Sequence, residues 1–186
     1  MTYKHFNFAL DMTMMIWLLT LALTLCAAGI DLRSRRIPNW LTVSGFVLGF
    51  GIHAVLGRWP GASFSIEGTG LALLVLLPLV LLRGLGAGDW KLMGAVGSFL
   101  GPWALLVVLF VSVIVSAVMG VMAMIHAQKV VATLRNIVVL VRGFFVFGWR
   151  GNPQITLDNP GLLKLPFGVA AALATLICFV ASRWVR

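Results

Sequence analysis

Long apolar runs broken by short polar stretches make up most of this chain. A spanning helix needs about 20 predominantly apolar residues. The first run that qualifies extends from Met12 to Ile30, with Asp31 directly behind it. The basic loop LRSRRIPN follows, and Pro38 steers Ile37 towards extended backbone, so a helix break is expected there. A second span is expected over about Trp40 to Leu56, then a short loop, GRWPGASFSIEG, and a third span near Thr69 to Leu82. Pro78 inside that third span is a candidate kink of the kind membrane helices tolerate.

Gly84 to Gly94 then reads GLGAGDWKLMG, three glycines (Gly84, Gly86, Gly88) leading into Asp89. Lys91 to Leu100 is too short to cross a bilayer at full thickness. Gly101-Pro102 breaks the chain, and Trp103 to Ile125 is a clear span. Residues 91–125 therefore form either a short tilted fourth span followed by a fifth, which is favoured, or a half-membrane re-entrant segment. His126 to Lys164 is more polar, carrying Lys129, Arg135, Arg142, Arg150 and Lys164. Arg135 and Arg142 lie one heptad apart on one helix face, the pattern of a basic amphipathic helix on an anionic leaflet. A last span runs from about Leu165 to Ser182. The pattern predicts an all-α, polytopic membrane bundle of about six transmembrane helices. Residues 1–186 form a single membrane-embedded domain, with 126–164 as its basic cytoplasmic or interfacial segment.

Composition supports the class. The chain has 186 residues, of which 61% are hydrophobic and 10% charged, against about 45–50% apolar and about 25% charged in soluble domains. The net charge of +9 does not point to nucleic acid, because the basic residues are scattered between apolar runs. With alternating spans, ten of the 14 basic side chains fall on one side, which the positive-inside rule makes cytoplasmic. The N-terminal MTYKHFNFALDMTMM precedes no prompt small-residue cleavage site, so the first run is expected to be a retained span. Cys26 and Cys178 lie in apolar runs and read as small buried hydrophobes. No CxxC pair is present to form a cysteine zinc site. His5, His53 and His126 are dispersed without companion acids, so no metal site and no cofactor are expected.

Acids are scarce: Asp11, Asp31, Glu67, Asp89 and Asp158. Asp11 and Glu67 precede apolar runs and read as helix caps, and Asp158 as a solvated turn residue. Asp31 and Asp89 differ. Two spans separate them, so both belong to one membrane face. Two carboxyl groups brought close share a proton over a wide pH range, so one can deprotonate a water while the other donates to a scissile carbonyl. The alternative is that Asp31 pairs with Arg33, Arg35 or Arg36, and that Asp89 pairs with Lys91 or caps the next helix. Spacing alone leaves both open.

Three stretches in order, DLRSRRIPNWLT, GAGDWKLMGAVG and KLPFGVAAAL, resemble the type IV prepilin peptidases. These are membrane aspartyl proteases of the GxGD type, and the chain is most similar to their short form found with tight-adherence (Flp-type) pili. The resemblance implies that Asp31 and Asp89 are the catalytic aspartates. Gly86, Gly88, Lys91, Pro38, Asn39, Pro166 and Gly168 would be supporting motif positions. It implies a prepilin or pseudopilin substrate cut at the cytoplasmic face of a bacterial inner membrane, with the pilus assembly machinery as a further partner. Longer members carry a cysteine-rich region and also N-methylate the product. This chain lacks those cysteines, so peptidase activity without S-adenosylmethionine is expected. Rival readings are a presenilin- or signal-peptide-peptidase-like protease, although Ile30 and not tyrosine precedes Asp31; a small proton-coupled transporter subunit; and a catalytically silent assembly factor.

Overall fold

The computed structural model describes residues 2–82, 84–126 and 166–184. The expected basic segment 126–164 therefore lies, but for His126, outside the described residues, as does Asp158. The described residues form four helices: α1 (Thr2–Ser34), α2 (Asn39–Leu81), α3 (Ala87–His126) and α4 (Phe167–Trp184). All four are long and apolar enough to cross a membrane. The protein is an all-helical, multi-pass membrane bundle.

The helices are fewer and longer than the sequence pattern suggests. Four elements, two of them broken at one residue, replace the expected six, because two expected separations shrink to a single non-helical residue. In α2 that residue is Arg58, at φ 51 and ψ −136. The stretch expected as a loop, GRWPGASFSIEG, is helical, and it buries Ala62, Ser65 and Gly68. Pro60 is tolerated in the first turn after the break, where its missing N–H would have had no helical partner. The chain doubles back here: Gly61 lies against the His53 carbonyl, and the His53 and Phe64 rings sit 5.2 Å apart. In α3 the break is Gly101, at φ 71 and ψ −178. Only glycine adopts that backbone readily, and the Phe64 ring occupies the space a Cβ would need.

Between α1 and α2 the expected break is present. Arg35, at φ 50, ends α1 in the left-handed region, and Pro38 is extended at φ −73 and ψ 146. Helix α1 nevertheless runs past Ile30, so Asp31 sits within its last turn. Two capping expectations fail. Helix α1 begins at Thr2, so Asp11 is interior to it, and Glu67 is exposed in the middle of a helix. Cys178 is buried as expected, but Cys26 faces outward.

The centre of the bundle is α2 folded around the first part of α3. The stretch of α2 after Arg58 runs antiparallel to α3: Phe64 meets Gly101, Gly68 meets Gly97, Thr69 Oγ1 donates to the Gly94 carbonyl (3.1 Å), and the Trp90 indole N–H donates to the Leu73 carbonyl (2.8 Å). The stretch before Arg58 runs parallel to it, with Gly45 on Ala95 and Gly49 on Ser98. There His53 Nε2 donates to the Phe99 carbonyl (2.8 Å), a group in the last turn before the break. Helix α4 lies antiparallel along α1, from Gly168 at Asp31 to the Trp17–Phe179 ring contact and Arg183 on the Met14 sulfur.

Side-chain size sorts inside from outside. Ala27, Ala72, Ala171 and Ala174, with Thr20, Thr24, Ser98 and Thr175, are fully enclosed, and each of these hydroxyls bonds a carbonyl of its own helix. Leu74, Phe110, Val55 and Trp103 point out. In lipid the apolar effect does not drive helices together, so close approach of small residues does.

Candidate active site

One end of this bundle carries the motif positions Asp31, Pro38, Asn39, Gly86, Gly88, Asp89, Lys91, Pro166 and Gly168. Asp31 comes from the last turn of α1, on the stripe Thr20–Thr24–Ala27–Asp31 that faces the interior. It is 6% exposed, while Arg33, Arg35 and Arg36 beyond it are all exposed. Its carboxylate accepts the backbone N–H of Gly168, with Oδ2 3.0 Å away. Gly168 is in the first turn of α4, where N–H groups have no partner within the helix, so an acid there satisfies an orphan donor and meets the positive end of the helix dipole. Pro166 precedes that helix, its carbonyl accepting from Val169 N–H (3.1 Å).

Asp89 is positioned by its own helix. Gly86 precedes α3, Trp90 N–H bonds the Gly86 carbonyl (3.1 Å), and the Asp89 carboxylate reaches back to the Gly86 backbone N–H. That is the acidic half of a capping box, with the acid at the third helical position. The capping role weighed for Asp89 is thus real. It coexists with a second relationship: Gly88, next to Asp89, packs on Ile37 just past the end of α1, so the start of α3 lies beside the last turn of α1 that carries Asp31.

The glycines act through contact. A Cβ on Gly86 would lie 2.9 Å from Asp89 Oδ2. One on Gly88 would lie 3.1 Å from Ile37 Cβ and 3.2 Å from the Ile37 carbonyl oxygen, so a bare backbone at Gly88 lets the α1–α2 connection rest on the first turn of α3. Pro38 holds that connection extended. Lys91 Nζ donates to Asn39 Oδ1 (3.0 Å), which clips the starts of α2 and α3 together at the surface and directs Lys91 away from the pairing with Asp89 considered above.

Sequence reasoning passed over three contributors. Trp90, beside Asp89, anchors the first turn of α3 to the Leu73 carbonyl. Ile37 is buried under Gly88, and Ala27 is fully enclosed where α4 crosses α1. A half-buried tryptophan needs an acceptor for its N–H, so Trp90 was a findable signal, although its acceptor was not. Among the described residues no three His, Cys, Asp or Glu side chains converge as a metal would require.

Two carboxylates carried on separate helices, if brought close at one end of a bundle, hold a single proton between them. Such a pair combines a base and an acid within one site.

No curated protein and no solved structure matches the chain. A family model, that of the Type IV leader peptidase family, matches residues 17–121, a stretch that holds most of α1 and α3, all of α2 and both aspartates, and stops short of α4. With more than half of its length matched, the chain belongs to the type IV leader peptidase family.

Proposed function

We propose that the protein is a membrane aspartyl endopeptidase that removes the basic leader of Flp-type prepilins or pseudopilins, with Asp31 and Asp89 as its catalytic pair. Family membership supports a leader peptidase-type protease. The observation that carries the finer reading is that both acids come to one bundle end, where Gly88 beside Asp89 packs on Ile37 just beyond the helix whose last turn carries Asp31. The ionised member takes a proton from water as its oxygen attacks the scissile carbonyl carbon. The protonated member donates to the carbonyl oxygen. Collapse of the tetrahedral intermediate then returns that proton and releases the new amine, protonated by the carboxyl that took the proton from water. The exposed Arg33, Arg35 and Arg36 at the same end favour placing it at the cytoplasmic face of a bacterial inner membrane. The substrate's basic leader would remain in that compartment, its apolar helix in the bilayer.

Co-expression with a Flp-type prepilin tests the proposal, with precursor and product resolved by size. The wild-type chain is expected to shorten the prepilin. Asp31→Asn and Asp89→Asn, at matched membrane levels, are each expected to slow processing on the order of 10²–10⁴-fold. Undiminished cleavage by either variant would remove that residue from the chemistry.

A further inference from the structure

We infer that Gly168 is a positioning residue of the peptidase site, which makes α4 part of the catalytic apparatus. The inference rests on the aspartyl-pair reading above and extends it to a helix outside the segment that matches the family.

Three observations meet at this residue. Its N–H is the donor to Asp31 Oδ2, at 3.0 Å, between groups 137 positions apart in the chain. Both residues are buried, so water does not readily replace the bond, and an amide bond to a carboxylate is of the stronger, charge-assisted kind. The approach is also tight. A Cβ at this position would lie 3.1 Å from both Cβ and Oδ2 of Asp31 and 3.4 Å from the Ala27 carbonyl oxygen. A side chain here obliges Asp31 or the start of α4 to give by a few tenths of an ångström at the point where the carboxylate is held.

The consequence is a division of labour between the two oxygens of Asp31. Oδ2 is committed to the Gly168 amide, and in the proposed mechanism Oδ1 is the oxygen that serves Asp89, the water and the substrate. A carboxylate tied at one oxygen cannot swing about χ2, so the free oxygen is presented in one orientation. Asp89 has its own tether inside α3, whereas Asp31 depends on α4 for its second point of fixation.

Purified protein in lipid vesicles, assayed with a Flp-type prepilin, tests this with two substitutions. Gly168→Pro removes the donor and sets ring carbons against Asp31, in the first helical turn, where the lost N–H has no helical partner. Gly168→Ala keeps the donor and displaces it slightly. If Gly168 positions Asp31, Gly168→Pro lowers kcat about 100-fold and Gly168→Ala about tenfold, with KM near the wild-type value, the range expected for a misplaced catalytic group. Activity is referred to folded protein, measured by size-exclusion monodispersity and thermal midpoint. If Gly168→Pro does not fold, Gly168→Ala decides alone. Unchanged kcat in the folded variants, or a rise in KM alone, overturns the positioning role. Failure of the wild-type chain to cleave any prepilin overturns the peptidase reading instead, so the two failures are distinguishable.

Discussion

Asp31 and Asp89 stand at the same end of the bundle but are held in opposite ways. Asp89 is fixed by neighbours three residues back in its own chain: Gly86 starts α3 and its backbone N–H binds the carboxylate. Asp31 is fixed by a group 137 residues away, at the first turn of α4. The local arrangement forms as soon as its helix forms. The distant one exists only once α1 and α4 have packed along Ala27, Ala171 and Ala174. One half of the site is thus a property of a motif, and the other a property of the assembled bundle.

The largest effects should come from the carboxylates themselves. If they act as one unit, the Asp31→Asn, Asp89→Asn double variant processes prepilin no more slowly than the worse single variant, because residues that act together are non-additive. Multiplying losses in initial-rate assays would break the pairing. Gly88→Ala comes next, since a methyl there meets Ile37 backbone and side chain at 3.1–3.3 Å and lifts the connection leading from Asp31 off the start of α3. A loss of about tenfold in kcat is expected from such a displacement, and a wild-type rate would show that the two halves need not be in register. Trp90→Phe should cost less, about threefold to fivefold in rate, the worth of one neutral hydrogen bond. It sharpens the comparison because it loosens Asp89 without touching α4. Arg58→Gly serves as the control at the far end. Relief of its positive φ should raise stability by about 1 kcal/mol, read from a thermal or denaturant midpoint, and leave cleavage unchanged.

The same contrast explains what could be read from the sequence. The break at Pro38 and the glycines before Asp89 are local signals, and a helix boundary falls at each. The helix boundaries were less legible. A turn made by one residue in an unusual conformation, as at Arg58 and Gly101, leaves no polar loop to find, and GRWPGASFSIEG looked like a loop because its small and hydroxyl residues are the ones that pack inside. The same logic misplaced Cys26: in a chain whose exterior is apolar, an apolar run does not tell which faces are buried. Partners such as Leu73 for Trp90 or Gly168 for Asp31 depend on how helices align, which no spacing within a helix encodes.

The backbone contact between Gly68 and Gly97, with α2 and α3 touching through bare main chain, has a consequence for how this sequence can drift. In a water-soluble protein the least replaceable positions are the bulky ones of the core, and the surface is free to change as long as it stays polar. Here the tolerance is inverted. Outward leucines, valines and phenylalanines can exchange among themselves with little penalty, while the smallest residues carry the strictest requirement. Lineages of this chain should therefore vary in bulk on the outside and stay frozen in smallness within, so that its ancestry is better traced through glycines and alanines than through large apolar residues.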